Sequence, residues 1–156
     1  KLKKRLKLGL FFFYLLTPFL FLSRTLYAYA PKELVDYPNT YKQICYKESC
    51  IQLEYAMTPK EQKKGLMFRK SMPLHKGMLF VLNKPRPASI WMKNTFIPLD
   101  IIWLDQNLSI LKIIKNATPL SKKIYTCYKN TSFILEINAG ISENLDIKIG
   151  DKLKFN

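Results

Sequence analysis

One histidine, five glycines and three cysteines in 156 residues leave little room for several familiar chemistries. The lone histidine, His75, has no companions for a zinc site and no Gly-x-Ser-x-Gly elbow to serve. So few glycines argue against a phosphate-cradling loop, and hence against a nucleotide enzyme. Cys127 has no His–Asn partnership and reads as a buried or free thiol. No acidic side chain precedes residue 31, nothing repeats internally, and no low-complexity tract lies beyond the first residues.

What is present describes a globular chain. Hydrophobic residues make up 48% and charged residues 24%, enough for one domain of ordinary size. The net charge is +15, and Lys1, Lys3, Lys4, Arg5, Lys7 and Arg24 carry six of it, leaving +9 for the remainder. Those later cations are scattered, with short runs at Lys63-Lys64 and Lys122-Lys123. They read as a solvated surface; the sharper alternative is a specific anionic partner.

The first thirty residues have the form of an export signal. A basic KLKKRLK leads into an apolar run, Leu8 to Leu22, and Ala28-Tyr29-Ala30 supplies small residues for cleavage. The run is shorter than the roughly 20 residues that span a bilayer, and Pro18 sits inside it. An uncleaved anchor associated with the membrane through residues 8–22 is the other reading. Both place residues 42–156 outside the cytoplasm, periplasmic or otherwise extracytoplasmic, after a tether at 31–41. Nucleic acid is therefore not expected as a partner, and no recognition module is legible.

Beyond the tether the pattern is mainly β. Tyr41–Tyr46 and Cys50–Ala56 read as short strands, so Cys45 and Cys50 flank a turn and form either a disulfide or two free thiols. Thr58-Pro59-Lys60-Glu61 is a helix start with a capping box, and Gly65 is its stop. Strands follow at Met78–Leu82, Ser89–Met92, Leu99–Leu104, Leu108–Ile114, Phe133–Ile137 and Asp151–Phe155, with a helical turn near Ser142–Leu145. The sum is a small, mostly antiparallel barrel- or sandwich-like single domain of β-rich α+β class, with one or two short helices.

The stretch 77–105 holds both tryptophans and several polar residues set among apolar ones. Asp100 lies inside a run that should be core, where a carboxylate must be paired, hydrogen-bonded or protonated. It either accepts backbone N–H groups or pairs with Lys93, or it is the polar centre of a ligand cleft. That cleft would contain Trp91, Lys93, Asn94, Asp100, Glu136 and Asn138. Two carboxylates, Asp100 and Glu136, could together serve as acid and base on a glycosidic or peptide bond, or hold a cation. Met67, Met72, Met78 and Met92 are core filler, with Cu(I) ligation as the sharper alternative. No cofactor is implied.

GLMFR at 65–69, GMLF at 77–80, WMKNTFIPLDI at 91–101, LEINAG at 135–140 and IGD at 149–151 resemble an uncharacterised prokaryotic family. It is domain of unknown function family 192, and the resemblance covers residues 50–156. It implies a small β-rich single domain, exported in many members, and no activity to carry over. Two departures stand out: Asn107 and Asp146 occupy places where glycine is common. Both residue types tolerate positive φ. The leading expectation is an exported domain that binds a small ligand or an envelope component. A hydrolase of envelope polysaccharide or peptide using Asp100 and Glu136 is the alternative, and a purely structural or interaction protein is the third.

Overall fold

Seven strands and two short helices are set out in the computed structural model, which describes residues 41–156. The expected signal, 1–30, lies outside the described residues, as does all but the last residue of the tether. The strands are β1 (Gln43–Tyr46), β2 (Ser49–Ala56), β3 (Lys76–Trp91), β4 (Leu99–Leu104), β5 (Ile110–Ala117), β6 (Ile124–Asn138) and β7 (Lys154–Phe155). Helix α1 is Pro59–Lys64 and α2 is Ile141–Asn144. They form one sheet in the order β5-β4-β6-β3-β2-β1-β7, curled into a half-barrel. All neighbours are antiparallel except β2 and β3, which need a crossover, and α1 lies in it. A bridge between Ser109 and Lys152, with Ile110 N–H donating to Asp151 O at 2.8 Å, brings the two sheet edges together.

Local chemistry explains most boundaries. Thr58 Oγ1 accepts from Glu61 N–H at 3.2 Å while Glu61 accepts from Thr58 N–H at 2.9 Å, the reciprocal cap its sequence announces. Cys45 and Cys50 are cross-strand partners on β1 and β2 and are joined by a disulfide, with Cα atoms 4.1 Å apart. Asp151 accepts from the Tyr46 hydroxyl at 2.7 Å and from Lys148 N–H at 2.8 Å, fastening the chain end to β1.

Three expectations are corrected. β3 is one long strand, not two; Pro85 and Pro87 stay within it because they fall where the β3–β6 register shifts, so no regular ladder bond is lost. β6 begins at Ile124, nine residues before its apolar run, because its first half is largely exposed and polar. Positive φ in the β4–β5 turn falls on Leu108 (62°), not on Asn107. There Asp105 Oδ1 accepts from both Asn107 and Ser109 N–H groups, which shapes the turn without glycine. Asp146 does adopt positive φ (53°).

The core has two layers, one on each face of the sheet. Leu99, Ile101 and Trp103 join Met78, Phe80, Met92 and Ile134 in one; Ile102 and Leu104 join Leu79, Phe133, Leu135 and Ile137 in the other. All six residues of β4 are buried, which is why its sequence runs apolar without alternation. Met72, Met78 and Met92 are packed in the first layer as filler, as the plainer reading of the methionines had it.

Candidate functional site

Three of the sequence strings meet at the end of β6, and a further one, GLMFR, is bonded to the loop before β4. Glu136 is the cross-strand neighbour of Met78 on β3 and of Ile101 on β4. Asn138 donates its side-chain amide to the carbonyls of Met72 (3.1 Å) and Pro73 (3.2 Å), tethering the loop before β3. Phe68 N–H donates to Asn94 O at 2.8 Å, linking GLMFR to the loop between β3 and β4. Gly77 permits the close packing: a Cβ there would lie 2.8 Å from the Glu136 carbonyl oxygen, so no larger residue fits.

The two carboxylates do not meet. Asp100 is opposite Ile137 and Ile101 is opposite Glu136, and successive residues of a strand point to opposite faces. Asp100 and Glu136 therefore lie on different sides of the sheet. An acid–base pair made of them is ruled out by register.

Asp100 is fully buried and fully engaged. Its Oδ1 accepts from Asn116 N–H at 2.9 Å; its Oδ2 accepts from Ser142 N–H at 2.9 Å and from Ser142 Oγ at 2.7 Å. The reason is local. The β4–β5 register jumps from Leu99↔Ala117 to Ile101↔Ile114, so Lys115 and Asn116 bulge opposite Asp100. Asn116 adopts φ 49° there, and the carboxylate takes up its N–H. Helix α2 follows Gly140, which has no side chain to cap it, and Asp100 does so from a neighbouring strand. Of the two expected roles as a structural acceptor, it is the backbone one that holds. Lys93 instead stands over the Trp91 ring at 5.1 Å.

Glu136 is the opposite case. It is 4% exposed, and among the described residues no hydrogen bond or ion pair reaches its carboxyl. Burial pushes its pKa up to about 8, so the neutral acid prevails at pH 7.

The single cleft expected from the sequence is thus divided among three places. Glu136 and Asn138 belong to the first core layer's side, Asp100 to the other, and Trp91, 42% exposed, stands with Lys93 near the surface. Asn94 serves through its backbone, at φ 58°. An open depression of about 320 Å³ lies beside Asp100, lined also by Lys115, Asn116, Ala139, Gly140 and Glu143. Lys115 and Glu143 face each other there at 3.6 Å. Sequence reasoning missed both, and missed Ser142; the polar Lys115-Asn116 interrupting a strand was the available signal for the bulge. No group of three or more metal-ligating side chains occurs among the described residues.

Residues 42–155 match the family model DUF192, described as an uncharacterized ACR. The chain belongs to the DUF192 family. Two solved structures share the fold. One, a protein of unknown function from Novosphingobium aromaticivorans DSM 12444, is 38% identical, with a TM-score of 0.68 over 72% of this chain and 81% of its own. The other is a Sinorhizobium meliloti 1021 protein provisionally called a transcription regulator. It is 31% identical, with a TM-score of 0.69 over 76% of this chain and 98% of its own. No curated protein matches the chain. The DUF192 fold is thus the β-rich half-barrel described above.

Proposed function

We propose that this DUF192 domain is exported and binds a small polar ligand at the cell envelope without transforming it. The observation that carries the reading is the depression beside Asp100, whose wall sets a cation, Lys115, against an anion, Glu143. That pair is half to three-quarters exposed and 3.6 Å apart, so it contributes little to stability and exchanges readily for ligand groups. Ala139 and Gly140, both part-exposed, line the depression beside that pair. A ligand carrying both a carboxylate and a donor fits this wall, as peptide and amino-sugar fragments of an envelope do. Export is supported by the basic-then-apolar amino terminus and by the Cys45–Cys50 disulfide, which favours an oxidising compartment. Binding without catalysis is supported by the engagement of Asp100 and the isolation of Glu136 on the other face.

The test is a thermal-shift screen of the full chain against sugars, cell-wall peptide fragments, nucleotides, calcium and Cu(I). A ligand at about 100 times its Kd adds about 2.7 kcal/mol to apparent stability. A shift that disappears in Lys115→Ala and Glu143→Ala supports the reading. No shift, or one indifferent to both variants, overturns it.

A further inference from the structure

We infer that one rim of this domain docks on an anionic lipid surface. The rim is built from the loops 66–70, 92–98 and 118–123, which are stitched together by backbone bonds. Phe68 N–H donates to Asn94 O (2.8 Å), Leu120 N–H to Thr95 O (2.9 Å) and Met92 N–H to Ser121 O (3.1 Å). From these loops Phe68, Phe96 and Leu120 are 62%, 45% and 54% exposed, and the Phe68 and Phe96 rings meet edge to face at 6.4 Å. Trp91 and Ile124, cross-strand partners at the adjoining strand ends, are exposed as well.

Charge identifies the occupant. The sequence has no Asp or Glu from residue 62 to 99, nor from 106 to 135, and these two segments carry thirteen lysines and arginines. Of the eight large apolar side chains exposed on the described residues, seven lie in the same two segments, and only Ile149 does not. Lys70, Lys93, Lys122 and Lys123 are exposed on the rim loops themselves. Apolar tips ringed by lysines, where Glu54 is taken up by its ion pair with Arg69 of loop 66–70, complement an anionic headgroup layer over an acyl layer. Aliphatic tips such as Leu120 and Ile124 gain by entering acyl chains and cannot stack on bases, which favours lipid over nucleic acid.

Backbone conformation points the same way. Phe68 (φ 67°) and Leu120 (φ 61°) are bulky residues in the left-handed region, where glycine or asparagine would sit without strain. The fold tolerates that strain while presenting both side chains to solvent. This inference is independent of the depression beside Asp100, and the two readings fail separately.

The experiment uses the full chain and its own tryptophans. Trp91 is on the rim, Trp103 is fully buried, and residues 1–40 contain no tryptophan, so the emission comes from the domain, and the rim variants separate its docking from recruitment by an anchoring amino terminus. Vesicles of phosphatidylcholine with phosphatidylglycerol, brominated in the acyl chains, should quench Trp91 emission. Pure phosphatidylcholine vesicles should quench it far less. Lys122→Glu/Lys123→Glu should weaken the partition by roughly tenfold or more. Phe68→Asn/Phe96→Asn should reduce quenching with the melting temperature unchanged or raised. Absent quenching by anionic vesicles, quenching indifferent to both double variants, or displacement of the vesicles by an equal charge of single-stranded oligonucleotide would overturn the proposal.

Discussion

Asp100 and Glu136 are one register step apart on neighbouring strands, both buried, and treated in opposite ways. Asp100 accepts three hydrogen bonds from a bulge and a helix start. Glu136 sits between Met78 and Ile101 with no such partner, and burial lifts its pKa to about 8. Burial alone does not decide how a carboxylate is accommodated; the donors supplied to it do. One face of the sheet uses an acid to close gaps in its backbone bonding. The other carries an acid that the fold stabilises only when protonated.

Removing Asp100 should have the largest effect. Asp100→Ala orphans the N–H groups of Asn116 and Ser142 and the Ser142 hydroxyl in a buried place, a loss of about 3–5 kcal/mol in urea denaturation at neutral pH. Asp100→Asn keeps the shape but turns an amide NH₂ toward one of these donors, so it should fall between wild type and alanine. A loss under about 1 kcal/mol for alanine would end the view of Asp100 as the pin of this region.

Glu136 should behave in reverse. Burial in the folded state raises its pKa from the ordinary 4.5 to about 8, so the folded protein holds a proton that the unfolded chain releases. Its contribution is fully present below about pH 4.5 and fades as pH rises through about 8. At about 1.4 kcal/mol per pH unit, the loss across that window is on the order of a few kcal/mol. Glu136→Gln should flatten this window, roughly matching wild type near pH 4 and exceeding it near pH 9. If the difference between the two proteins does not change with pH, the carboxyl is not neutral in the fold.

Ser142→Ala sharpens the first case at smaller scale. It removes one donor to Asp100 and leaves the Ser142 N–H bond in place, so about 1–2 kcal/mol should be lost.

How far the sequence discloses this arrangement can be followed residue by residue. The helix cap at Thr58, the β4 core run and the alternation that sets Glu136 apart from Leu135 and Ile137 are local patterns, and each appears as read. Asp100 as an oddly placed acid was legible for the same reason. Which face it occupies relative to Glu136 was not, because that depends on the register of β4 against β6, a long-range pairing with no local signature. The extent of β6 was hidden too. From Ile124 to Asn130 its side chains are largely exposed, so the hydrophobic period that betrays a strand is missing. The lining of the depression depends on both facts: Lys115 arrives through a bulge and Glu143 through a helix held by Asp100.

Lys115→Ala should have the least effect on stability, and that smallness is informative. Its ammonium is half exposed and 3.6 Å from a Glu143 carboxylate that is more exposed still. Such pairs contribute between nothing and about 1 kcal/mol, so the expected change is within about 0.5 kcal/mol. The Asn116 N–H bond to Asp100 is made by backbone and should survive the substitution, leaving the bulge intact. A larger loss would mean that Lys115 itself holds the bulge, joining the wall of the depression to the pinning role of Asp100. A negligible loss would separate them: Asp100 holds the shape, and Lys115 is left free to meet a ligand.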